Sequence, residues 1–279
     1  MDRPPPAHDP AVTDRWHVVA PAGTACATTL LGEPIEVCAD GSVRVAGGGA
    51  ALAACNAHGY VWASFGTPLA LFDIAELAEP DRRTLHAASI GVATSAPRAI
   101  ENFLDMGHFP FVHDGILGAE PFTEVKDYDV ALDEAAGEIL ATRCRFFQPM
   151  AAATSSGGAD VDYIYRVPHP FCAVLYKSSG LDPSRNDVIA LFVQPTGEES
   201  VIAHMLLSLL DDNNDDAAIR RFQQTIFAQD KPILESQWPR RLPLDPRAET
   251  PIRADKSSIV YRRWLAALGW RYGVIPAGG

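Results

Sequence analysis

The sequence predicts an α+β fold of the helix-grip kind, in which an antiparallel sheet and covering helices enclose a cavity, and three observations carry that prediction. From Thr123 onward six strand-like runs follow one another: VKDYDVAL, EILATRCRFF, VDYIYRV, FCAVLYK, DVIALFVQP and SVIAHMLLSLL. Turn-forming stretches separate them at Asp133–Gly137, Ser155–Ala159, Asp182–Asn186 and Thr196–Glu199. Two helical patterns come after the strands, at Asp216–Gln237 and Ser257–Leu268, and these supply the covering layer.

The elements ahead of the sheet read in order. Met1–Thr13 carries four prolines and is expected to be a disordered lead-in. Trp16–Ala20, Thr28–Leu31 and Pro34–Cys38 have the pattern of short strands, and Asp40-Gly41 is a hairpin turn into Ser42–Ala46. Gly47-Gly48-Gly49 opens no phosphate-binding helix and precedes no Lys-Ser/Thr, so it is not a P-loop. Tyr60–Phe65 and Leu85–Thr94 read as strands around a polar connection, Phe72–Arg83. Ser95 and Pro97 then mark the N-cap and the first turn of a helix.

That helix leads into the stretch where the chemistry is concentrated, IENFLDMGHFPFVHDGILG at Ile100–Gly118. It sets Asn102, Asp105, His108 and His113 in one run. Five residues along an unbroken helix would splay the two histidines by roughly 140°. Pro110 removes a backbone donor and drives Phe109 out of the α region, so the helix is expected to break near Phe109 and let His113 swing back. Two imidazoles and a carboxylate on one face leave open positions, the pattern of non-haem Fe(II) oxygenases. Asp105, one turn before His108, is placed to accept from its second nitrogen and set the tautomer. The third ligand is sought on Asp216–Gln237, where Asp230 falls on the stripe of Ile219, Phe222, Ile226, Ile233 and Leu234. A carboxylate on such a face is costly unless paired or metal-bound, and Pro232 is expected to loosen the helix just after Gln229 and turn Asp230 inward. Two packed core histidines and an Asp230 paired with Arg or Lys form the alternative reading.

Charge and cysteines narrow the function. A net charge of -12 and a pI near 5.0 argue against nucleic acid and anionic membranes as partners. Five scattered cysteines give neither a disulfide framework nor zinc spacing, which is expected of a reducing, cytoplasmic location. No apolar run reaches a membrane span, and MDRPPPAHDPAVTD lacks the apolar core of a signal peptide. DDNNDD at 211–216 lacks the EF-hand glycine and reads as a solvated loop ending in an N-cap.

The run ENFLDMGHFPFVHDGILG resembles the iron-binding segment of Rieske-type aromatic-ring oxygenases, and FAQDKPILESQ with ADKSSIVYRRWLAALG resembles the C-terminal helices of their monooxygenase and demethylase branch. The resemblance covers roughly Gly59–Gly269 and implies a START/Bet v 1-like catalytic domain. It makes His108, His113 and Asp230 the ligands of a mononuclear Fe(II), puts Asn102 near the iron and makes Asp105 the bridge toward the electron donor. The departure is in the cluster motif. A Rieske [2Fe-2S] centre needs Cys-x-His and Cys-x-x-His pairs, and of Cys26, Cys38, Cys55, Cys144 and Cys172 none opens the first. Cys55-Asn56-Ala57-His58 matches half of the second, and His58 aligns better with the strand HGYVWASFGTP that opens the catalytic domain.

The expected organisation is a lead-in over 1–13, a remnant Rieske-like β segment without cluster ligands over 14–56, and a mononuclear iron catalytic domain over 57–279. The expected activity is O2-dependent hydroxylation or oxidative demethylation of a small aromatic or heterocyclic substrate, with formaldehyde released if the oxidised carbon is an N- or O-methyl group. Electrons would come from a separate Rieske- and flavin-containing reductase, and the resemblance implies a trimer. In architecture and size the chain resembles the cluster-less oxygenase component of methylxanthine N-demethylase complexes. A non-catalytic small-molecule-binding subunit on the same fold, and more distantly a zinc hydrolase, stay open.

Overall fold

The computed structural model describes residues 9–150, 157–210 and 214–277. Residues 1–8 of the expected lead-in lie outside that set, but its end does not conform: Pro10–Thr13 forms a short helix, α1, capped by the Asp9 carboxylate. The reason is packing, since Val12 is fully buried and the Ser64 hydroxyl donates to the Thr13 carbonyl across 2.7 Å.

Six short strands follow: β1 (His17–Pro21), β2 (Cys26–Leu30), β3 (Glu33–Val37), β4 (Val43–Val45), β5 (Ala53–Ala57) and β6 (Tyr60–Ser64). They form two three-stranded sheets, in the orders β1-β6-β5 and β2-β3-β4. The expected boundary after Asn56 falls inside β5, which pairs with β6 residue for residue through a tight turn at His58 (φ 53°) and Gly59 (φ 76°). Two consecutive positive φ values are what a two-residue hairpin turn requires, so the hairpin cannot be divided between units. The N-terminal strands also share one core with the large sheet, Leu30, Ile35 and Val43 packing in the same cluster as Val193 and Val201. Gln194 ties the two together by donating to Thr28 Oγ1 (2.9 Å) and the Thr29 carbonyl (2.8 Å).

The large sheet contains β7 (Arg83–Val92), β8 (Asp129–Asp133), β9 (Glu138–Gln148), β10 (Ala159–His169), β11 (Cys172–Ser178), β12 (Asn186–Gly197) and β13 (Ser200–Leu209). Its order is β7-β13-β12-β11-β10-β9-β8, antiparallel throughout, so the expected six-strand meander gains β7 at the far edge beside β13. Alternation is plain on β10, where Val161, Tyr163, Tyr165 and Val167 are buried and their neighbours are not. The first predicted strand is shorter than its pattern, because Tyr128 leaves the sheet edge to donate to the Ala254 carbonyl (2.5 Å).

The helices are α2 (Ala96–Leu104), α3 (Phe109–Val112), α4 (Asp216–Ser236) and α5 (Lys256–Ala267), and Leu242–Pro243 with Val274–Ile275 form the parallel pair β14 and β15. Together with the sheet, α4 completes the helix-grip α+β fold. It runs unbroken through Pro232, contrary to the expected loosening after Gln229. Burial of Ile226, Phe227 and Leu234 on either side of the proline outweighs the one backbone hydrogen bond it forfeits. Ile233 departs from the predicted stripe and is 43% exposed. Asp215 is the N-cap, accepting from Ala218 N at 2.7 Å.

Candidate metal centre

Ser95 caps α2 as the sequence suggests, with Pro97 in its first turn. The break comes earlier than Phe109: α2 ends at Leu104, Asp105 is extended (ψ 120°), and its Oδ1 accepts from Gly107 N at 2.6 Å. Pro110 therefore starts α3 instead of ending α2, the first-turn position where a missing N–H costs nothing. The consequence for His113 is the expected one, since the turn at 105–108 leads into an α3 that brings its ring against that of His108.

Three candidate ligand atoms converge. His108 Nε2 and His113 Nε2 are 3.1 Å apart, and Asp230 Oδ1 lies 3.1 Å from His113 Nε2 and 3.4 Å from His108 Nε2. The other nitrogen of each ring is taken: His108 Nδ1 donates to Asp105 Oδ2 (3.0 Å) and His113 Nδ1 donates to Gln229 Oε1 (2.9 Å). With both Nδ1 atoms protonated, two bare imidazole lone pairs and a carboxylate oxygen face one point, and Asp230 Oδ1 has no hydrogen-bond partner among the described residues. Such a set is repulsive unless a cation occupies the point. Metal bonds of about 2.1 Å put ligands about 3.0 Å apart at right angles and about 3.4 Å apart at the tetrahedral angle, which brackets the observed separations. The residues therefore fit a divalent metal.

Electrostatics draw a cation to the same point, a proton on His108 when no metal is bound, and a metal would have to displace it. Burial pulls the His108 imidazolium down, but the Asp105 and Asp230 carboxylates outweigh it and hold its pKa up at about 9. Burial likewise opposes charge on Asp230, and the two imidazoles nevertheless keep its carboxyl below the usual range. Among the described residues this is the one His/Cys/Asp/Glu group close enough to share a metal.

Two spaces meet at the triad. One is an apolar cavity between sheet and α4, lined by Phe103, Phe109, Leu117, Tyr165, Leu191 and Met205 as well as the three ligand residues. The other is an outer cleft of about 310 Å³ that reaches Asp105 and His108 past Trp238, which is 87% exposed. Asn102 lines both. Beneath the cleft Arg262 grips Glu101 (Nε to Oε1, 2.6 Å) and Glu249, while Arg98 holds Glu249 at 2.6 Å, so α2, α5 and the chain at 249 are locked together. Gln229 was not legible in the sequence, although its place next to Asp230 on a helix is a signal. His58 Nε2 donates to the Phe72 carbonyl (2.9 Å) and the ring stacks on Phe72, the behaviour of a packed histidine. His204 sits between Ser89 Oγ (2.7 Å) and Gln194 Oε1 (3.0 Å), and His169 contacts His17, so neither lines the apolar cavity.

The family model for the vanillate O-demethylase oxygenase C-terminal domain matches residues 92–270. The chain belongs to this family. It is thus a Rieske-type oxygenase catalytic domain, and this one spans a sequence without a Cys-x-His pair. It is 50% identical over 268 residues to a probable methylxanthine N7-demethylase, NdmC, of Pseudomonas sp. (strain TJI-51), covering 93% of this chain and 95% of that one. Identity to the methylxanthine N1-demethylase NdmA of Pseudomonas putida is 30% over 178 residues, 62% of this chain and 47% of NdmA, so the sequence match spans about half of that relative. In fold it resembles NdmA of P. putida CBB5 (TM-score 0.71, 20% identity, 91% of this chain and 89% of that one) and dicamba monooxygenase bound to dicamba (TM-score 0.70, 17% identity, 92% and 97%). These oxygenase domains share the sheet-and-helix arrangement described above. No helix among the described residues is long and apolar enough to cross a membrane.

Proposed function

We propose that the chain is the oxygenase component of an N-demethylase system, in which His108, His113 and Asp230 hold one Fe(II) and the substrate is a methylated aromatic heterocycle of the methylxanthine class. The observation that carries this reading is the convergence of two bare Nε2 atoms and one carboxylate oxygen, both rings anchored through Nδ1, in a member of this oxygenase family. The substrate class comes from the relative at 50% identity. Bound Fe(II) would supply O2 activation and oxidation of an N-methyl C–H bond, and the resulting N-hydroxymethyl group leaves as formaldehyde.

The chain's own residues do the rest. Phe109, Leu117, Leu191 and Met205 keep water from the reacting methyl group and pack on a planar ring. Asp105 and Gln229 hold the two imidazoles in the Nδ1–H tautomer, which keeps both Nε2 atoms available. Electrons must enter from outside, because a Rieske cluster needs two cysteines and two histidines in paired motifs that this sequence does not provide. Asp105 is the entry point in this reading: its side chain is 31% exposed, it lines the outer cleft, and it is hydrogen-bonded to His108. The donor is a separate Rieske- and flavin-bearing reductase that docks over that cleft. The N-terminal strands are read as the remnant of a Rieske-like unit, kept because they complete the common core.

Anaerobic purification with iron and acid-labile sulfide measured per chain, and His108→Ala as control, tests the proposal. About one iron and no sulfide, with iron lost in the variant, is the expected result. No iron after Fe(II) reconstitution would sink the enzymatic reading in favour of a non-catalytic binding subunit. About three irons with two sulfides would return Cys55 and His58 to a cluster.

A further inference from the structure

The apolar cavity beside the triad contains two buried polar atoms that have no hydrogen-bond partner among the described residues. Gln148 ends β9 at 1% exposure with Oε1 unpaired, and Tyr163 on β10 is 3% exposed with its hydroxyl unpaired. Both line the cavity that His108, His113 and Asp230 close. Buried polar atoms are ordinarily paired, and leaving them bare is unfavourable, so two such atoms facing one cavity point to a ligand that pairs them. Their spacing is set by the sheet. Tyr163 lies opposite Cys144 on β9, and Gln148 is four residues further along that strand, roughly 13 Å of extended chain. The cavity therefore takes unpaired polar atoms from two adjacent strands, set beside the apolar side chains of Leu175, Ile189 and Leu191. Lys177, opposite Tyr163 on β11, lines the same cavity, with burial drawing its pKa down to about 8.

We propose that Gln148 and Tyr163 are the specificity-determining residues of the site: the Gln148 carboxamide pairs with an N–H/C=O lactam edge of the ring, and the Tyr163 hydroxyl donates to another ring carbonyl oxygen. A carboxamide is complementary to a lactam edge, offering one donor and one acceptor side by side. A ring whose nitrogens are all methylated cannot satisfy the Gln148 oxygen, so the site selects substrates that keep a free ring N–H. The inference takes its substrate class from the demethylase reading; its residues come from the cavity alone.

The test is calorimetric titration of iron-quantified protein under nitrogen with caffeine, theobromine and 7-methylxanthine, which all carry the N7-methyl group and retain none, one and two ring N–H groups. Kd for the wild type is expected to tighten along that series by about tenfold overall or more. Gln148→Leu should flatten the series and leave caffeine within about threefold, whereas Tyr163→Phe should weaken all three by about tenfold. Gln148→Glu keeps the side chain's shape and an acceptor and should retain the preference for a ring N–H, which guards against a misfolded leucine variant; iron content and melting temperature check both. A flat wild-type series, or full discrimination in Gln148→Leu, overturns the inference while leaving the demethylase reading intact. No binding of any of the three to iron-loaded wild type overturns the substrate class and the inference with it.

Discussion

At the scale of single residues, the site depends on side chains that hold other side chains. Gln229 does not reach the ligand point, but its Oε1 is the acceptor that keeps a proton on His113 Nδ1. A hydrogen bond of this kind fixes ring orientation and tautomer, and its loss typically weakens metal binding by about 10- to 100-fold. Gln229→Leu is accordingly expected to raise the dissociation constant for Fe(II) by that factor, read by competition with a chelator, while the melting temperature of the metal-free protein changes little. Unchanged iron affinity would show that His113 is oriented by packing alone. His108 is held from the other side by Asp105, whose second oxygen is already committed to Gly107 N. Asp105 thus shapes the turn and the tautomer with one carboxylate, which is why a three-residue spacing to His108 was a readable signal.

At the scale of elements, the placement of α3 rests on close backbone contact with the loop that follows it. Gly118 follows the loop after His113, and a Cβ built on it would stand 2.6 Å from Pro110 N and 2.8 Å from Pro110 Cα. Those are backbone atoms of α3 itself and cannot swing aside as a side chain would. Gly118→Ala should push α3 away from the loop, lower unfolding free energy by about 1–3 kcal/mol and reduce iron occupancy several-fold. Denaturant unfolding together with metal analysis checks both effects, and a variant with full iron and full stability would mean the loop relocates freely. The position of the break shows how local rules compete. Pro110 is a helix breaker in an interior and a helix starter in a first turn, and Asp105 with Gly107 decided which role it took.

At the scale of the whole molecule, buried neutral histidines make the fold sensitive to acid. Burial lowers His17 to about 4, the Val12 carbonyl opposing and Arg15 assisting, and burial with the His86 charge lowers His204 to about 3. Both folded values lie below the unfolded value near 6.5, so the unfolded chain binds protons first as pH falls. Their contribution is complete above about pH 6.5 and is lost as pH falls through about 4 and 3, amounting to roughly 3 kcal/mol for His17 and roughly 5 kcal/mol for His204. Urea midpoints from pH 7 to pH 4 should fall steeply, and His17→Gln should make the fall shallower. A midpoint independent of pH in that range would show that neither ring is buried in the neutral form. His17 also couples regions, because its ring nitrogen bonds the Val12 carbonyl of α1 (2.9 Å) while the ring packs against His169 and Phe171.

What the sequence by itself determined were the features written in short stretches of chain. Alternation marked the strands, the Ser95 and Pro97 pair marked the start of α2, and the crowding of Asn102, Asp105, His108 and His113 marked the ligand segment. The approach of Asp230 to His108 and His113 was legible because a carboxylate on an apolar helical stripe needs a compensating charge. The rest was decided by tertiary structure. His113 meets Gln229 across 116 positions and Arg262 meets Glu101 across 161, and no local pattern names such partners. The place of β7 beside β13, the shared core that joins the N-terminal strands to the sheet, and the cavity-facing Gln148 and Tyr163 belong to the same class. Propensity and periodicity act over a few residues, whereas these contacts form only when distant segments close around one core, where burial and unpaired polar groups outweigh local preference.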